Sequence, residues 1–142
     1  MMEQEPQATE RLNAFLRAEL AAVLAYQHGL RSLDGRLGSD TEQILGFAAG
    51  HQRTVAALQA CIRALGGVAA AEAGSWASFA LLRDAGSVQQ LLEAEARGLA
   101  EYAAALPSLD GEAHELVEHE LMPRQRQHVA TLSKILADLA PA

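Results

Sequence analysis

The chain has 142 residues, half of them apolar but only 4% aromatic, with 18 acidic and 11 basic side chains, a net charge of −7 and one cysteine. That length buries one sizeable core and points to a single domain. The acidic balance, without any stripe of Lys and Arg interleaved with aromatics, excludes nucleic acid as the main partner and an anionic membrane surface.

In chain order, the N-terminal MMEQEPQATE is too acidic and polar for a secretory signal. No apolar run reaches the roughly 18 residues of a membrane helix, so a cytoplasmic protein is expected. Ala, Leu, Glu, Gln and Arg dominate, and all are good helix formers. Pro6 and Thr9 precede a periodic segment over 9–33. DGRLGSD at 34–40 is a turn cluster. Asp40 or Thr41 can cap a second helix, which Gly66-Gly67 stops. Cys61 reads as a small buried hydrophobe of that helix. Residues 68–86 are rich in Ala, Gly and Ser and form a long connection, in which Trp76 and Phe79 are expected to pin the chain onto the bundle or, as the alternative, onto a second subunit. Ser87 can cap a third helix, and Pro107 and Asp110-Gly111 mark the next turn. A fourth helix covers 111–139, and Pro123 is expected to kink it.

The two halves repeat. YQHGLRSLDG at 26–35 returns as YAAALPSLDG at 102–111, and at the same offset of 76 Leu16, Ala18 and Glu19 fall on Leu92, Ala94 and Glu95. One residue further on, His51 falls on His128. The apolar seams match as well. Leu12, Leu16, Glu19, Val23 and Tyr26 parallel Val88, Leu92, Glu95, Leu99 and Tyr102, in steps of four and three. Ile44, Ala48, His51, Val55 and Leu58 parallel Leu121, Gln125, His128, Leu132 and Ile135. Asp34-Gly35 and Asp110-Gly111 supply a side-chain acceptor and a permissive backbone for each reversal. The pattern describes two helical hairpins closed face to face.

Each predicted helix therefore carries one strongly polar residue in its core stripe: Glu19, His51, Glu95 and His128. A carboxylate removed from water without a partner costs several kcal/mol. A divalent cation would offset that cost, and imidazole with carboxylate is a usual donor set for iron, manganese or zinc. A metal-free network in which each Glu bonds a His or a Tyr would also do so, and a solvated face is the third reading. Tyr26 and Tyr102 lie two turns beyond their glutamates on the same face and can orient a site as secondary donors. Glu93, Glu101, His28 and the run from His114 to Glu120 read as solvated surface. Phosphate loops, paired CxxC and a supported Ser/His/Asp arrangement are not found in the sequence.

Paired hairpins, a long crossover, and Glu, His, Glu, His in chain order resemble the ferritin-like superfamily, and more narrowly its small bacterial members of unknown function. The resemblance covers roughly residues 8–139. It implies a single all-α domain: a ferritin-like four-helix bundle with hairpins at 8–66 and 87–139 and a crossover at 67–86. It also implies metal ligation by Glu19, His51, Glu95 and His128. Di-iron members of that superfamily carry a bridging Glu three residues before each His, where this chain has Ala48 and Gln125. The departure favours a reduced, mononuclear Fe, Mn or Zn site over a ferroxidase or other di-iron oxidoreductase, and it leaves Gln125 as a secondary contact. The alternative is a metal-free interaction or oligomerisation module, and a homodimer is plausible by analogy.

Overall fold

The structure, a computed structural model, describes residues 4–31, 40–74 and 85–139. Every regular element among them is helical. Helix α1 spans Gln4–Arg31, α2 Asp40–Ala64 and α3 Ala85–Ala105. A short 3-10 turn, Leu106–Ser108, leads into a fourth rod made of α4 (Gly111–Leu116), a π-turn (Val117–Leu121) and α5 (Met122–Leu139). Among the described residues no helix is long and apolar enough to cross a membrane. Helix α1 starts upstream of the expected Thr9. Pro6 is tolerated there because the first-turn N–H groups have no intrahelical acceptor in any case. The 34–35 turn and the connection carrying Trp76 and Phe79 lie outside the described residues, as do the side chains of His28, Leu30, Asp40, Thr41, Ser87 and Leu139.

Helix α2 ends as its glycines predict. Gly66 adopts φ +82°, its N–H donates to Arg63 O at 3.0 Å, and the Gly67 N–H donates to Ile62 O at 2.9 Å. This is the paired closure that a left-handed residue after a helix permits. At the second reversal Gly111 has φ +54°, but Asp110 makes no side-chain capping bond. Its carbonyl instead accepts the His114 N–H at 3.3 Å. The expected side-chain acceptor is therefore not used, and the Asp110 carbonyl makes only the first ordinary bond of the helix.

The seams bury two apolar clusters at opposite ends. One joins Leu12 and Leu16 of α1, Leu58 and Ile62 of α2, Tyr102 of α3, and Val117 and Leu121 of the fourth rod. The other joins Tyr26, Ile44, Phe47, Val88, Leu132 and Ile135. Early α1 thus shares an end with late α2, late α3 and the start of the fourth rod. Helices α2 and α3 run one way, and α1 and the fourth rod run the other. From Gly67 the chain turns back along α1. The Asn13 side chain donates to Val68 O (2.9 Å) and accepts the Ala70 N–H (2.7 Å), and the Gly74 N–H donates to Arg17 O (2.9 Å).

Pro123 leaves its mark as the π-turn directly before it. Proline cannot donate to the carbonyl four residues back, and its ring crowds that carbonyl. Just before the proline, the Met122 N–H reaches Val117 O, five residues back. A π-turn accommodates one residue more than an α-turn. By one residue, too, the second hairpin is longer than the first between its Asp-Gly and its histidine. On the outer face His114 pairs with Glu118 (3.2 Å) and His119 with Glu115 (3.5 Å), one turn apart. These four side chains agree with the solvated face expected of the run from His114 to Glu120, whereas Val117 within it is fully buried in the core. Cys61 is buried, and burial, then the nearby Glu112, pushes its thiol pKa up. It is no activated nucleophile.

Candidate metal centre

Glu19, His51, Glu95 and His128 each occupy a core position near the middle of their rod, so the antiparallel packing brings all four to one level. There they form a polar layer between the two apolar clusters, with at most 5% of any of them exposed. His51 is the hub. Its Nδ1–H donates to Glu19 Oε2 in a short bond, and its Nε2–H donates to Glu95 Oε1 at 2.6 Å. His128 reaches the same carboxylate from the other side, Nδ1 to Glu95 Oε2 at 3.4 Å. The ring centroids of His51 and His128 are 4.9 Å apart, edge to face.

The tyrosines orient the carboxylates as anticipated, but crosswise. Tyr26 of the first hairpin donates to Glu95 Oε1 of the second (2.6 Å). Tyr102 of the second donates to Glu19 Oε1 of the first (2.5 Å). The bonds are reciprocal across the repeat. Gln125 breaks the symmetry. Its Nε2 donates to both Glu95 O (2.8 Å) and Glu95 Oε2 (2.5 Å), while Ala48, its counterpart, contributes only a buried methyl.

Electrostatics follow from this wiring. Burial alone would lower the His51 pKa, but the Glu95 and Glu19 carboxylates more than reverse that and raise it to about 10. Both ring nitrogens face carboxylate oxygens, which suits an imidazolium that donates twice. Burial would raise Glu95, yet His51 and His128 hold it well below the usual carboxylate range. Burial first, then the adjacent carboxylates, lift the Tyr26 and Tyr102 phenols well above their ordinary value.

Three of the four expected ligands meet the requirement for one ion: His51, Glu95 and His128 offer donor atoms that all lie within 4.8 Å of one another. Glu19 stands behind His51, on Nδ1, and is no member of that trio. Carboxylate behind imidazole is the arrangement that fixes a metal-binding histidine's tautomer and ring plane. Two donors on one tetrahedral ion with bonds of about 2.1 Å lie about 3.4 Å apart. His128 Nδ1 has that separation from Glu95 Oε2 (3.4 Å), while His51 Nε2 lies 2.6 Å from the other oxygen, Oε1, and would move out by under 1 Å.

Several contributors escaped the sequence reading. Phe47 packs its ring on His128, with centroids 4.6 Å apart. Arg124 donates to Thr54 Oγ1 (2.7 Å) and Glu120 Oε2 (3.2 Å) beside the layer. Gly50 and Gly98 are notches. A Cβ on Gly50 would lie 2.8 Å from His128 Nε2, and one on Gly98 would lie 3.1 Å from Gln125 Nε2. The available signal was a glycine in a helix interior beside a stripe residue, which costs about 1 kcal/mol and so calls for a packing reason. Compared with known proteins, the chain matches no family model, no curated protein and no solved structure.

Proposed function

We propose that the chain is a ferritin-like bundle that binds one divalent transition-metal ion, iron, manganese or zinc, through His51, Glu95 and His128, with Glu19 orienting His51. The observation that carries this is the buried trio of donors within 4.8 Å. Two imidazoles and a carboxylate form a set that transition metals favour over magnesium or calcium. A single ion is favoured over a pair, because Ala48 offers no donor and Gln125 turns its amide nitrogen to Glu95. The ferritin-like part of the reading draws on the helix directions. With α2 and α3 running the same way, the chain must traverse the bundle length between them, and residues 67–74 set out along α1 in that sense. When bound, the ion would supply Lewis acidity and charge compensation. The residues themselves keep the site dry and hold its protons: Tyr26 on Glu95, Tyr102 on Glu19, and the His51 Nδ1–H on Glu19.

A metal-free interaction module is the second reading, favoured by the mutual satisfaction of the carboxylates, His51, the tyrosines and Gln125. Elemental analysis of the purified protein, with melting followed with and without a chelator under reducing conditions, separates the two. One equivalent of metal and a chelator-sensitive melting temperature are expected; an ion at 100 times its dissociation constant adds about 2.7 kcal/mol. His51→Ala and His128→Ala should each abolish retention, and Glu19→Gln should weaken it by about 10–100-fold. Absence of both metal and chelator effect establishes the module. Ferrous iron should be oxidised no faster with the protein than without it.

A further inference from the structure

Between α2 and α5 a cleft of about 290 Å³ opens beside the polar layer, with His128 and Phe47 among its lining residues. Its chemistry departs from that of the whole molecule. The protein carries a net charge of −7, yet among the described residues the cleft is lined by two guanidiniums, Arg53 and Arg124, and by no acidic side chain. Arg124 already spends one nitrogen on Thr54 across the gap and another on Glu120, so its fork is fixed in place. Arg53 is exposed and makes no ion pair among the described residues. Gln43, Gln127 and Thr131 add uncharged hydrogen-bonding groups, and Phe47 adds an apolar wall. Planar guanidinium forks match oxyanions two bonds at a time, and small-molecule sites combine an apolar wall with a few convergent polar groups.

We propose that this cleft binds a small oxyanion carrying an apolar body, such as an organic carboxylate or a phosphate monoester, with its head on Arg53 and Arg124 and its body against Phe47. The volume exceeds what a bare inorganic anion fills. The binding requires no metal and goes beyond the metal-binding reading. His128 is shared between the two sites: its ring lines the cleft while its Nδ1 faces Glu95. The His128 ring has room beside α2 because Gly50 has no side chain: a Cβ there would lie 2.8 Å from His128 Nε2. Gly46, also on the cleft, is different: a Cβ there would meet nothing within 4 Å, so the space can be filled without disturbing the core.

The test is a nuclear magnetic resonance titration of the full-length, chelator-treated protein at constant ionic strength. The probes are benzoate, phenyl phosphate and inorganic phosphate. Expected are saturable shifts confined to residues 43–54 and 124–131 with benzoate or phenyl phosphate, and weaker ones with inorganic phosphate; the tighter organic probe identifies the head group. Arg53→Gln should weaken binding about tenfold, the loss of one charged hydrogen bond. Gly46→Leu should abolish it without lowering the melting temperature, because leucine is the better helix former. Arg63→Gln, at the far end of α2, should leave it unchanged. Shifts that never saturate, that spread over all arginines, or that survive Gly46→Leu would overturn the proposal.

Discussion

His51 is the residue on which the buried charge balances. In the metal-free protein its pKa lies near 10 because Glu95 and Glu19 outweigh the opposing effect of burial. A folded-state value above the ordinary 6.5 stabilises fully below about pH 6.5, and that contribution is lost as the pH climbs through about 10. Glu95 has the opposite sign. Its depressed pKa stabilises above the ordinary 4.5, and the contribution fades as the pH falls below that value. Thermal melts of the chelator-treated protein should therefore be highest between about pH 4.5 and 6.5 and decline on both sides. In His51→Gln the alkaline decline should flatten. A metal ion changes the logic, since the Nε2 that donates to Glu95 must first release its proton.

At the scale of the element, α2 shows how one helix serves packing and site together. Gly46 and Gly50 stand one turn apart, and sequence alone does not distinguish their roles. A Cβ at Gly46 meets open space, while one at Gly50 strikes His128. Gly46→Ala should stabilise the protein by up to about 1 kcal/mol through helix propensity alone. Gly50→Ala should lose that gain to overpacking, which typically costs 1–3 kcal/mol, and should displace His128. Denaturant titrations of the two variants make the comparison within a single helix. The fourth rod makes the complementary point: its π-turn takes up a residue that a continuous α-helix would have to absorb by rotating His128 and Gln125 off the stripe.

At the scale of the whole molecule, the hairpins are joined through their polar residues as well as their apolar ones. Each tyrosine bonds the other hairpin's glutamate, and His51 links both glutamates. Tyr26→Phe and Tyr102→Phe each remove a hydrogen bond to a buried carboxylate and should cost about 1.5–3 kcal/mol. The double variant should depart from the sum, because both changes act on carboxylates wired to one imidazole. Urea unfolding of the two single variants and the double variant measures that coupling, and strict additivity would mean that the two halves are independent.

The order of helices, the seams and the four inward polar residues were legible in the sequence, because amphipathic periodicity and an internal repeat are local patterns that one chain displays by itself. The repeat even indicated, through its one-residue slip before His128, that the second hairpin holds something extra. Partner choice was not legible. Which tyrosine faces which glutamate, why Glu19 stands behind His51 while His128 joins the trio, and which glycine makes room for a ring all depend on distances between helices. Those distances are set when four rods pack at once, and no spacing within a single rod records them.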